Sequence, residues 1–171
     1  MAQYNATWPG GDSYTGSKLD GMPHGRGAFT WANGDRYSGD WHKGIEHGHG
    51  TQTVSNSQGS IDRYDGQWKT GKRHGIGKYK WGHTGQLYIG QWIDGKCEGS
   101  GQCTLPNGGR YCGDYKKGVP TGVGYLDVRS PPMADGQSVD IVPAVNTDGT
   151  VQFTFGSPAL DGRVGHREYF G

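Results

Sequence analysis

Histidine recurs at one spacing along this chain. His24, His47 and His74 each precede a glycine (Gly25, Gly48, Gly75). Imidazoles in register suggest a metal site or a lipid-phosphate site. Metal ligands, however, must converge within about 2 Å of one ion, whereas equivalent residues on successive hairpins of a sheet stand roughly 10 Å apart. The pattern therefore favours a hydrogen bond that steadies a turn. Cys97, Cys103 and Cys112 form no Cys-x-x-Cys pair, so no zinc site is expected. An odd cysteine count suits a reducing cytosol better than a disulfide framework. Lys72-Arg73, Lys78, Lys80 and Lys116-Lys117 offer cations to anionic headgroups, although solvated strand ends carry such charges just as readily. Gly25-Arg26-Gly27 and its equivalents resemble pieces of phosphate loops, but no Gly-Lys-Ser/Thr helix follows. No nucleophile, base and orienting group come together, and no carboxylate pair marks a pocket. No catalytic residue, metal or cofactor is expected.

The elements that carry these residues are set by glycine and by aromatic rings. Of 171 residues, 34 are glycine, which disfavours helix interiors. Only 31% are hydrophobic, yet there are 6 Trp and 10 Tyr, and disordered segments are poor in aromatics. The composition predicts an all-β chain with an aromatic seam in place of a thick aliphatic core. The net charge of +1 supplies no general field for nucleic acid, and none is expected as a partner. Met1 to Gly11 holds no charged stretch followed by an apolar one, so no secretory signal is expected. No apolar run approaches the roughly 20 residues that span a bilayer as a helix.

Segments beginning at Tyr14, Tyr37, Tyr64, Tyr88 and Tyr111 align, with spacings of 23, 27, 24 and 23 residues. Counting each Tyr as position one, position three is Gly16, Gly39, Gly66, Gly90 and Gly113. Position five is Lys18, Trp41, Trp68, Trp92 and Tyr115, and position eight is Gly21, Gly44, Gly71, Gly95 and Gly118. Positions twelve and fourteen are glycine in every unit, Gly48 with Gly50 and Gly75 with Gly77 among them. Position sixteen reads Phe29, Gln52, Tyr79, Cys103 and Leu126. Position eighteen reads Trp31, Val54, Trp81, Leu105 and Val128. These last two sets were not needed to find the register, and they are mostly apolar and two apart, as one strand face requires.

Each unit therefore predicts two short strands joined by a tight glycine turn such as Lys43-Gly44. Asn33-Gly34 and Asn107-Gly108 link successive units, because both residue types tolerate positive φ. Pairing within a unit is expected to set Trp41 against Gly48 or Gly50, so that rings lie on glycine backbone. Residues 1–13 form a half-unit, residues 14–128 five units, and residues 129–171 a C-terminal extension. About eleven strands at roughly 4.8 Å spacing make one elongated antiparallel sheet on the order of 50 Å long. The link from Ser55 to Arg63 is four residues longer than its counterpart after Trp31 and predicts a protruding polar loop. Beyond Pro131-Pro132, residues 140–145, 146–149 and 151–155 read as strand, turn and strand, a hairpin placed either to cap the open sheet edge or to order on a partner. A lone sheet cannot cover both its faces. The aromatic rows Tyr37, Trp41, Tyr64, Trp68, Tyr88, Trp92, Tyr111 and Tyr115, with Trp31 and Trp81, are thus candidates for a groove that binds a partner helix or strand.

The units Tyr37-Ser38-Gly39-Asp40-Trp41-His42-Lys43-Gly44-Ile45-Glu46-His47-Gly48-His49-Gly50 and Tyr64-Asp65-Gly66-Gln67-Trp68-Lys69-Thr70-Gly71-Lys72-Arg73-His74-Gly75-Ile76-Gly77 resemble membrane-occupation-and-recognition-nexus (MORN) repeats. The resemblance covers residues 4 to 128. Lys18 departs from it at the first aromatic, and Glu98 and Thr121 depart at the histidine. It implies a single-sheet array and a non-enzymatic scaffold or adaptor. Repeat-only members are ciliary and cytoskeletal, so the resemblance implies a cytoplasmic protein of the ciliary axoneme, radial-spoke-like. Its partners would be axonemal or cytoskeletal proteins, with homo- or hetero-oligomers formed through sheet edges. A membrane- or phosphoinositide-associated adaptor is the alternative.

Overall fold

Two left-handed residues in a row close the hairpin inside each of the five units. Asp20-Gly21, Lys43-Gly44, Thr70-Gly71, Asp94-Gly95 and Lys117-Gly118 all have positive φ, the signature of a two-residue type I′ turn whose twist matches that of the flanking strands. A computed structural model describes residues 4–56, 59–106, 108–127, 141–145 and 151–155. The strands are β1 (Tyr4–Thr7), β2 (Ser13–Leu19), β3 (Met22–Thr30), β4 (Arg36–His42), β5 (Ile45–Ser55), β6 (Ile61–Lys69), β7 (Lys72–Lys80), β8 (Leu87–Ile93), β9 (Lys96–Thr104), β10 (Arg110–Lys116), β11 (Val119–Asp127), β12 (Ile141–Val145) and β13 (Val151–Phe155). No helix occurs among the described residues. β1 to β11 form one antiparallel sheet in strict sequence order. The expected half-unit is β1, paired to β2 from Tyr4↔Gly16 to Thr7↔Ser13.

A row of glycines crosses the sheet. Gly16, Gly27, Gly39, Gly50, Gly66, Gly77, Gly90, Gly101 and Gly113 stand directly opposite one another on successive strands from β2 to β10. Beside this row run the position-one tyrosines, paired across strands with position sixteen: Tyr14↔Phe29↔Tyr37↔Gln52↔Tyr64↔Tyr79↔Tyr88↔Cys103↔Tyr111. Alternation along β4 is clean, with Tyr37, Gly39 and Trp41 buried while Arg36, Ser38 and His42 are exposed. One face of the sheet is aromatic and the other polar.

Four sequence expectations change. The register within a unit shifts between positions three and four, and the twelfth-position glycines take positive φ (Gly48 +60°, Gly75 +60°). This is a β-bulge. Trp41 consequently pairs with Glu46 in its own hairpin and with Gly25 of the preceding unit, while Gly48 faces Trp68. The tryptophan–glycine match thus joins neighbouring units and does not close a single one. Second, Gly34 has positive φ but Asn33 does not. The links are longer turns, in which the Gly34 N–H donates to the Trp31 carbonyl and the Trp31 N–H to Asp35. Third, the long link is mostly strand. β5 runs to Ser55 and pairs with Ile61 to Arg63, so the extra residues lengthen a hairpin instead of opening a loop. It turns through Asn56 and Gly59 as the other links do, the Gly59 N–H donating to the Asn56 carbonyl. Fourth, β12 and β13 pair with each other in a two-stranded sheet of their own, so no ladder among the described residues joins them to β11. Asn107, Val128 and, in the extension, residues 129–140, the expected turn at 146–149, and residues 150 and 156–171 lie outside the described residues.

Candidate functional site on the aromatic face

Each position-one tyrosine lies over the glycine pair of its own hairpin. A Cβ on Gly27, Gly50, Gly77 or Gly101 would fall on the phenol of Tyr14, Tyr37, Tyr64 or Tyr88. The hydroxyls donate to the carbonyls of Ser17 (2.6 Å), Asp40 (2.8 Å), Gln67 (2.9 Å) and Gln91 (3.0 Å). The indole N–H groups reach backwards. Trp41 donates to the Gly27 carbonyl at 3.1 Å, Trp68 to Gly50 at 3.1 Å and Trp92 to Gly77 at 3.2 Å. Tyrosine therefore bonds within a unit and tryptophan bonds to the unit before it.

The rings also alternate edge to face. Trp68 meets Tyr37 at 5.1 Å and 85° and Tyr64 at 5.3 Å and 86°. Trp92 does the same between Tyr64 and Tyr88, and Tyr115 between Tyr88 and Tyr111. Such T-shaped pairs add about 0.5–1.5 kcal/mol each beyond area burial. The row seals itself: Tyr37 is 0% exposed, and Trp41, Trp68, Trp92, Tyr64, Tyr88, Tyr111 and Tyr115 are all buried. Trp31 and Trp81 are half-buried and pack beside Phe29 and Tyr79. In the first unit Lys18, which takes the place of an aromatic, sets its ammonium 3.4 Å over the Tyr4 ring, a cation–π contact. Burial raises the phenols of Tyr37, Tyr64 and Tyr88 above the ordinary value. Tyr79 is pushed up to about 12 by burial first and by its bond to Asp62 second. These hydroxyls stay protonated donors.

The glycines have three jobs. Gly39, Gly50, Gly66 and Gly77 admit the phenols. Gly44 and Gly71 sit in the type I′ turns, and their N–H groups donate to the Pro23 and Glu46 carbonyls of the preceding units. Gly48 and Gly75 form the bulges, where a Cβ would strike the side chain of Asp40 or Gln67. His24 accepts a hydrogen bond from the Lys43 N–H through Nδ1 at 3.4 Å. Glu98, standing where earlier units have histidine, accepts from the Lys117 N–H at 2.8 Å. The departure from the motif therefore preserves the contact. Among the described residues no three His, Cys, Asp or Glu side chains are placed to hold a metal. No helix there is long and apolar enough to cross a membrane.

Sequence reasoning passed over the aspartate two residues before each of the first three tyrosines. Asp12, Asp35 and Asp62 accept from the N–H groups of Ala32 (2.8 Å), Ser55 (2.9 Å) and Gly82 (2.8 Å), each in the link turn one unit on. The recurring Asp-x-Tyr was the available signal. The basic residues are also split between faces. Lys78 and Lys80 lie on the polar face of β7, whereas the Arg73 guanidinium lies 4.9 Å from both the Tyr79 and Trp92 rings on the aromatic face.

No curated protein matches this chain. The family model for the MORN repeat matches at residues 14–36, 37–57, 64–82, 88–110 and 111–127, in the register of the glycine row and the aromatic zipper. The chain belongs to the MORN repeat family, whose repeats suggest binding to proteins or membranes.

Proposed function

We propose that this protein is a non-catalytic scaffold that holds other proteins in a cytoplasmic, cytoskeletal assembly, the ciliary axoneme and its radial spokes being the setting that the MORN array suggests. The supporting observation is the single-layer sheet: its aromatic face is sealed ring against ring, with the half-buried Trp31 and Trp81 along its margin. Partners dock on that margin and along the ring edges, and the open strands β1 and β11 offer backbone for strand addition. Trp41 and Trp68 lie inside the zipper, so truncating them tests stability first. Trp31→Ala with Trp81→Ala tests binding.

Affinity capture from ciliated-cell extract compares the intact chain, a truncation ending at Asp127 and the Trp31/Trp81 variant. Axonemal or cytoskeletal proteins recovered by the first two and lost by the third support the scaffold. Flotation with anionic vesicles, without a stable protein partner, would favour the membrane adaptor. The sheet separates Lys78 and Lys80 from Arg73, so the basic residues of β7 do not act together toward such a surface.

A further inference from the structure

The aromatic zipper is thinned where the fourth unit meets the fifth. Position sixteen, filled by Phe29 in the first unit and Tyr79 in the third, is Cys103 here. Position ten is Cys97, and the next unit replaces tryptophan by Tyr115. These smaller side chains leave a cavity of about 210 Å³ walled by Cys97, Cys103, Tyr115, Trp81 and Trp92. The opening is basic. Arg73, Lys96 and Lys117 line it, and no carboxylate does. In the second unit Arg73's position belongs to Glu46, so the basic character is confined to this stretch of the face.

A second observation concerns Tyr115. Its hydroxyl is buried beside the Cys103 thiol with no nitrogen or oxygen partner, and the residue lines the cavity. Elsewhere an indole at this position bonds the fourteenth-position carbonyl of the unit before; the shorter phenol leaves that link unmade. The volume lies below the roughly 300–1,000 Å³ of small-molecule pockets. It suits one inserted side chain, the form in which interface anchors bind.

We infer that this cavity is the anchor point for an acidic segment of a partner protein. One apolar side chain enters between Trp81, Trp92 and the two thiols. Flanking carboxylates meet Arg73, Lys96 and Lys117. This deepens the scaffold reading and rests on it.

The test uses the full chain and fluorescein-labelled short peptides of aspartate and glutamate with a single central phenylalanine, leucine or tryptophan, read by fluorescence anisotropy. At least one of the three should bind at low salt, and more weakly as salt rises. A central alanine, or lysines for the acids, should lower affinity at least about tenfold. Cys103→Phe, which restores the ring type of Phe29, should fill the cavity and weaken binding by a similar factor while Tm holds. Lys96→Ala with Lys117→Ala, both exposed and outside the core, should weaken binding several-fold. Absence of binding by all three peptides, equal binding of the alanine peptide, or unchanged affinity in the lysine variant would overturn the inference. So would undiminished binding by a folded Cys103→Phe chain. Partners captured from extract equally by wild type and Cys103→Phe would sink the anchor and leave the scaffold reading standing.

Discussion

Gly77 has no left-handed backbone, yet a methyl group there has no space, because the Tyr64 phenol lies on it. Gly95 is the converse: open space around it, but φ of +84°. Their substitutions therefore fail for different reasons. Gly77→Ala should cost about 3 kcal/mol by overpacking, and Gly95→Ala only about 1 kcal/mol of backbone strain, as urea unfolding will show. Equal losses would mean that the ring yields easily. The thiols supply a pH prediction. Burial pushes Cys97 and Cys103 up to about 12. Between the ordinary thiol value and about pH 12 the unfolded chain has lost these protons and the folded chain has not, so stability falls as pH rises, by up to about 1.4 kcal/mol per pH unit for each thiol. Below the ordinary value both states are protonated and the slope disappears. Thermal melts at pH 8 and pH 10.5 should differ, and the difference should shrink in Cys103→Ala. At pH 8 a thiol reagent should modify half-buried Cys112 first; prior reaction at Cys97 would contradict the packing.

Hairpins in this protein are tied to their successors at both ends. At one end the position-eight N–H donates to the position-ten carbonyl of the unit before, as Gly95 does to Arg73. At the other, in the first three units, an aspartate holds the next link turn. Asp62 is the most heavily used of these. It accepts from Gly82 N–H at 2.8 Å, the Tyr79 hydroxyl at 2.9 Å and Asn56 Nδ2 at 3.0 Å. Asp62→Ala should remove about 2–3 kcal/mol, the range for bonds to a charged acceptor plus an orphaned buried donor, with Asp12→Ala, which leaves a single exposed N–H, costing less than half as much. Chemical denaturation of both variants decides this, and comparable losses would show that the aspartates are interchangeable surface caps. The hairpin itself was legible in the residues, since glycine at position eight demands a tight turn. The bulge was not, because positions twelve and fourteen are both glycine and either could face the opposite strand.

At the level of the molecule, β1 to β11 follow one another in space as they do in sequence, so each unit is stabilised by its neighbours alone. Loss of one zipper ring should propagate only to adjacent units. Hydrogen exchange should accordingly show a gradient, with amides of β6 and β7 slowest and those of β1 fastest; uniform protection would mean that the sheet opens as a single block. β11 is an unpaired edge of nine residues, and Pro120 removes one donor from it. Proline at an edge discourages indiscriminate strand addition, which leaves room for a partner whose own pattern fits.

From the residues alone came the repeat, its boundaries, the all-β class, strand order and the aromatic face, because strand period two and the demands of glycine and aromatic side chains are local. What tertiary structure decided was which rings meet. Trp41 was expected over glycines of its own hairpin; the bulge carries it to the preceding unit, so the sheet is joined by tryptophan and closed locally by tyrosine. The same contacts bury eight of the ten aromatics read as a partner groove and leave Trp31 and Trp81 at the margin. Cys103 and Tyr115 stand in the sequence at positions where other units carry larger rings, and Cys97 lies six residues before Cys103. That the three adjoin one another follows only from the register of β7 to β10, since a cavity is a property of side chains brought together across strands.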